Sequence, residues 1–300
     1  MNIGNVESSS LKGVQVMGGL NVGEGRKETK PQLILHIGSG KAGSTSIQKS
    51  FSTNRESLEA KNIRYMSSIG DMNHAALACF AADDKKDIGI KRNANITKKN
   101  IFDYRDQVMQ KVLKEVREYE RTCTKFIASS ENLLLDLDQL QEIKRLKHLL
   151  KSAFSEIHVF VFLRRQDLFV VSQHNDAIKR GTTFASPFGY IKRTKFMPFL
   201  DYFNRLQMWK YVFYDNQFAL MSHGNNLQSF VGALDISHLS SFKSSSRENT
   251  ALSPPAAELV RRINFFLKRS KSYYADQIRD SVIIQEKGRG LLPARSKAIK

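Results

Sequence analysis

Apolar and polar positions along the chain alternate between two rhythms. Short apolar runs at 33–37, 125–128, 157–163 and 217–221 have the length and the Ile, Val and Phe content of strands buried on both faces. Between them, apolar residues recur at helical spacing. The stretches are roughly 46–60, 104–120, 138–152, 168–179, 199–211, 226–234 and, from Pro254-Pro255, to about 268. A proline pair is tolerated at such a helix start, and Gly181 stops the helix before it. Residues 66–100 read as loops with one short helix near 74–82. Residues 1–30 are rich in Gly, Ser and charge without a sustained apolar period, and are expected to be a flexible leader. Residues 31–300 are expected to form a single domain. Strands alternating with helices predict an α/β fold: three layers, with a central parallel sheet flanked by helices. No internal repeat is visible.

Composition narrows the function classes. The chain has 300 residues, is 41% apolar and contains 19 Phe, enough for a packed core and against disorder over most of its length. Net charge is +18, from 47 basic and 29 acidic residues. That balance suits anionic partners, or equally a solvated basic surface. The basic residues are dispersed without interleaved stacking aromatics, so nucleic acid is not the expected partner. Cys79 and Cys123 show neither metal-type spacing nor a disulfide framework, which fits a reducing compartment such as the cytoplasm. No apolar run reaches membrane-spanning length, and the N-terminus lacks the pattern of a signal peptide.

The candidate chemistry lies at expected strand ends, where open α/β sheets bind ligands. Three polar clusters fall there: 38–46, 129–131 and 164–167. In the first, Gly38, Gly40 and Gly43 let the backbone approach an anion closely, Lys41 adds charge, and Ser44, Thr45 and Ser46 add hydroxyl donors. Together they make a phosphate cradle between a buried strand and a helix N-terminus. It is not a Walker A loop: that pattern requires glycine where Leu35 stands and Ser or Thr where Ala42 stands.

The order Lys-x-Gly-Ser/Thr-Thr instead resembles the 5′-phosphosulfate loop of sulfotransferases that use 3′-phosphoadenosine 5′-phosphosulfate (PAPS). The segment runs His36-Ile37-Gly38-Ser39-Gly40-Lys41-Ala42-Gly43-Ser44-Thr45-Ser46-Ile47-Gln48. It is similar to the His-Ile-Gly-x-x-Lys-Thr-Gly-Thr-Thr-Ser-x-Gln of bacterial and carbohydrate-type members. Ala42 and Ser44 depart from it: Ser44 keeps a hydroxyl, and Ala42 keeps only its backbone N–H. The resemblance implies the P-loop-like sulfotransferase fold. It further implies that Gly40, Lys41, Ala42, Gly43, Ser44, Thr45 and Ser46 hold the 5′-phosphosulfate. Arg164 and Ser172, eight residues apart, would hold the 3′-phosphate through a planar donor fork and a hydroxyl. Arg165 either joins them or pairs with Asp167. Two weaker resemblances are 246–253, similar to an Arg-x-Asn-x-Ser-Leu-Ser stretch, and 286–290, similar to a late cofactor loop. The resemblance spans about 33–295.

The activity implied is sulfuryl transfer from PAPS to an acceptor hydroxyl, with a glycan as the expected acceptor class and no metal required. Lys41 would stabilise charge on the leaving phosphate oxygen. Glu131, closing an expected strand, is the first candidate base; His74 is the second, on its ordinary pKa. His36, inside a strand, is expected in the core or behind the site. Lys179 and Arg180 either meet an acidic acceptor or form a solvated helix end. Two alternatives remain open: a P-loop kinase-like nucleotide enzyme, and a sulfotransferase-like protein that binds nucleotide without catalysis.

Overall fold

A computed structural model gives the fold. It describes residues 30–193, 200–214, 218–222, 226–234, 236, 251–270 and a few positions between 277 and 284. The leader up to residue 29, the 286–290 loop and most of the 246–253 stretch lie outside the described residues.

Five parallel strands form one sheet: β1 (Gln32–His36), β2 (Ile63–Tyr65), β3 (Lys125–Ser129), β4 (Glu156–Leu163) and β5 (Phe218–Ser222). Their order across it is β2-β3-β1-β4-β5. β1 is central because it is apolar on both sides. Leu33, Leu35 and Ile37 join one core cluster, and Ile34 joins the other. β4 divides its side chains likewise: Ile157, Val159 and Val161 to the first face, Phe162 to the second. The sheet is therefore covered on both faces, as expected.

Helices α1 (Ser44–Thr53) and α2 (Arg55–Glu59) follow β1. The single helix expected over 46–60 is broken at Asn54, whose Nδ2 turns back to the Ser50 carbonyl at 2.6 Å. The 66–100 region holds α3 (Ala75–Ala81) and a further short helix, α4 (Gly89–Asn93). α5 (Ile101–Tyr119), α6 (Asn132–Asp136) and α7 (Leu140–Ala153) complete the span between β2 and β4. α8 (Gln166–Lys179) and α9 (Pro187–Arg193) follow β4, and then α10 (Tyr202–Val212), α11 (Asn226–Ala233) and α12 (Pro254–Ser270). α3, α5, α7 and α10 cover the first face; α1 and α11 cover the second.

The topology fixes where a ligand can enter. The connection from β1 runs toward β2 on one side, and that from β4 runs toward β5 on the other. The two loops diverge and leave a crevice beyond the carboxyl ends of β1 and β4. Under that crevice the second face is packed with rings. Phe230 lies 5.3–6.0 Å, centroid to centroid, from Phe51, His36, Phe160 and Phe162.

Candidate functional site

The loop from Ile37 to Gly43 leaves β1 through three left-handed residues: Gly38 (φ 47°), Lys41 (φ 63°) and Gly43 (φ 84°). A Cβ on Gly38 would stand 2.9 Å from Ser44 Oγ and 3.4 Å from the Glu131 Cα, so both conformation and space require glycine. Lys41 has a Cβ and holds the same kind of φ, which costs about 1 kcal/mol. The surrounding contacts enforce it. Its carbonyl accepts a 2.8 Å hydrogen bond from Arg164 Nη1, and its ammonium pairs with Asp176. Gly43 caps α1 without a side-chain acceptor for the first-turn amides, an arrangement suited to an incoming anion.

The second strand end is joined to the first. The Arg164 N–H donates to Ser39 Oγ at 3.3 Å, so β4 and the glycine loop are held together just where the sheet splits. α8 then lies along the loop. Phe169 and Gln173 face Gly40, and Asp176, one turn further, reaches Lys41. Ser172 shares this side of α8 and is half-buried. Arg165 takes the other course open to it, pairing in two-pronged fashion with Asp167 at 2.6 and 2.7 Å at the exposed start of α8.

Charge at the loop is strongly positive. Lys41 is pushed down to about 8, first by burial and then by Arg180 and Lys179. Glu131 opposes that push, and Arg164 adds to it. Thus Lys41, Arg164, Lys179 and Arg180 gather at one place. Glu131 stands at the end of β3, and its Oε2 accepts from Gln48 Nε2 at 2.7 Å and Asn73 Nδ2 at 3.3 Å. It does not cap α6 with its side chain.

No family model matches this chain, and no curated protein or solved structure does.

Two expectations change. His74 is fully buried: its Nε2 lies 2.8 Å from the Met66 carbonyl, and its Nδ1 accepts the Ser129 N–H at 2.8 Å. Both nitrogens are engaged by backbone, and burial pushes the ring down to about 4. It pins the loop after β2 to β3 and has no lone pair left for a substrate proton. Ala42 offers no amide to a ligand in this arrangement either. Its N–H donates to the Ser39 carbonyl at 3.3 Å, its carbonyl accepts from Asn226 Nδ2, and its methyl is in the second core cluster.

The other loop positions are arranged differently. Ser44 Oγ is 3.5 Å from the Ser39 carbonyl, Thr45 is exposed and Ser46 half-buried. His36 is in the core as expected. Nδ1 is 2.7 Å from Ser129 Oγ, while Nε2, without a hydrogen-bond partner, lies 3.3 Å from where a Gly38 Cβ would stand. Burial holds this ring at about 3, hence neutral. Its open nitrogen leaves one buried polar atom directly behind the loop.

Asp176, Asn226 and Asn73 were not singled out from the sequence. Asn226 opens an expected helix and Asn73 precedes His74, but only the fold brings them to the loop. Among the described residues, no cluster of three His, Cys, Asp or Glu could hold a metal ion, and no helix is long and apolar enough to cross a membrane.

Proposed function

We propose that this chain is a sulfotransferase that moves the sulfuryl group of PAPS to an acceptor hydroxyl, with a carbohydrate as the acceptor class. The observation that carries the reading is the junction of the two strand ends. Lys41, at the tip of a left-handed glycine loop, is tied through its own carbonyl to Arg164 at the sheet's switch point. One residue can thus meet the 5′-phosphosulfate while the other stays within reach of the 3′-phosphate. Ser172, on the loop-facing side of α8, would share that second task.

In the reaction, the acceptor oxygen attacks sulfur in line as the bond from sulfur to the bridging phosphate oxygen breaks. The products are a sulfate ester and 3′,5′-adenosine bisphosphate. Lys41 stabilises charge on the departing oxygen. Glu131 receives the hydroxyl proton, its carboxylate oriented by the Gln48 and Asn73 amides. Cys79 and Cys123 are free and buried, which supports a reducing, cytoplasmic setting.

The test is thermal unfolding with 3′,5′-adenosine bisphosphate. At a hundredfold excess over Kd the ligand adds about 2.7 kcal/mol of stability, raising the midpoint by about 4 °C. An unmoved midpoint overturns the donor assignment. Stronger protection by ATP with magnesium favours a kinase-like enzyme. Protection by the bisphosphate without transfer of labelled sulfate to any member of a glycan panel marks a nucleotide-binding protein that does not catalyse.

A further inference from the structure

The site expected to receive a polyanion carries one side chain out of keeping with that task. Asp176 ion-pairs with Lys41 from 135 positions along the chain, and the two side chains are only 27% and 25% exposed. A carboxylate fixed there would repel the phosphosulfate. It would also retain the ammonium that the leaving phosphate oxygen needs. Yet Asp176 stands three and four residues before Lys179 and Arg180, one turn along the same face of α8. The Arg180 N–H donates to the Asp176 backbone carbonyl at 3.0 Å, so the helical register continues up to these two cations. At that spacing a change of side-chain rotamer would turn the carboxylate from Lys41 toward them without moving the backbone.

Resting on the donor-binding reading above, we propose that Asp176 is a displaceable counter-ion: it holds the Lys41 ammonium in the empty loop and yields it to the donor's phosphosulfate, turning instead toward Lys179 and Arg180. Asp176 is then a positioning residue. It keeps Lys41 over the loop in its left-handed conformation. It also sets a threshold, because a ligand must bring enough negative charge to outcompete a carboxylate already in place. A neutral nucleoside cannot do so, whereas a phosphosulfate or a phosphate dianion can.

The test is calorimetric titration of 3′,5′-adenosine bisphosphate into the full chain at ~0.15 M salt. The variants are the wild type, Asp176→Asn, Lys41→Ala and the double variant, with Asp167→Asn as a charge control at the far end of α8. Unliganded melting checks that each folds. Asp176→Asn is expected to bind about tenfold tighter than the wild type, as removal of a competing ion pair allows. That gain should shrink at least about threefold when Lys41 is absent, since no ammonium remains to be contested. Asp167→Asn should stay within about twofold of the wild type. Equal or weaker binding by Asp176→Asn overturns the counter-ion role and leaves the donor reading intact. A gain of the same size with and without Lys41 also overturns it, as simple charge repulsion. Binding by neither the wild type nor Asp176→Asn removes the donor reading, and the counter-ion role with it.

Discussion

The carboxyl ends of β2 and β3 and those of β1 and β4 are finished in opposite ways. At the first pair, the charged groups and His74 are paired within the protein itself. The buried Glu115 carboxylate accepts from Arg64 Nε at 2.8 Å and from the Ser67 and Ser68 amides at 2.9 Å each. His74 has both nitrogens on backbone. Arg55 donates to the Tyr65 and Met66 carbonyls at 3.2 Å each. At the second pair, four cations crowd a left-handed loop, with Asp176 beside Lys41 and Glu131 reaching it from the end of β3. A folded chain completes its own buried hydrogen bonds where no ligand is expected. An excess of like charge held in strained backbone is a cost that a bound anion can offset.

The largest effect should come from the open end. Lys41→Ala is expected to lower sulfate transfer about 10³-fold or more, as loss of a group stabilising the leaving oxygen does. Affinity for 3′,5′-adenosine bisphosphate should fall by only about thirtyfold, one charged contact's worth. Steady-state transfer and titration on the same preparation measure both; transfer by the variant at wild-type rate refutes the assigned role. At the closed end the cost should appear in stability instead. For Glu115, burial resists ionisation, but hydrogen bonds from Ser68, Arg64 and Ser67 outweigh it and hold the carboxyl below its usual range. Glu115→Ala leaves Arg64 and two amides short of a buried partner and should cost up to about 5 kcal/mol in denaturant unfolding. Glu115→Gln should recover a good part of it.

Acid should act at both ends, through one buried histidine at each. His36 and His74 hold folded pKa values of about 3 and about 4, below the ordinary 6.5. The unfolded chain therefore binds more protons than the folded one as pH falls below 6.5. These two groups leave stability unchanged above that pH and lower it steadily between 6.5 and 4. Together they should remove roughly 4 kcal/mol by pH 5. Urea unfolding across pH 5–7 tests this, and His74→Gln should reduce the slope by about half. A flat profile over that range would contradict the burial of these rings.

How much of this could be read from the sequence depended on range. β1, β3 and β4 were legible because each is a run of apolar residues long enough to stand out. β2 was not: three residues with Arg64 at the centre look like loop, and the strand exists through its parallel pairing with β3, Ile63 beside Lys125 and Tyr65 beside Ile127. The glycine loop and the Arg164–Ser172 spacing are local, so both could be singled out, and the fold brings them to one crevice. His74 misled because an ordinary histidine pKa says nothing of two backbone partners that appear only on folding. Asp176 was missed for the converse reason. On the sequence it is one acidic residue in a mixed helix, and its relation to Lys41 spans 135 positions.

The smallest effect bears on two neighbours, of which the sequence assigned Arg164 to the phosphate and left Arg165 open. Arg164 and Arg165 are adjacent, yet the chain alternates them. Arg164 turns inward to the Lys41 carbonyl, while Arg165 turns out to Asp167, with side chains 71% and 59% exposed. An exposed pair of this kind contributes little, since solvent and salt screen it and two long side chains lose freedom to form it. Arg165→Ala should therefore change stability by less than about 0.5 kcal/mol and bisphosphate affinity by less than about twofold. Arg164→Ala removes a tie between the two strand ends and should weaken affinity about tenfold or more. If titration gives equal losses for the two, the arginines act as one phosphate-binding patch, and the division between an inner and an outer residue at the end of β4 is wrong.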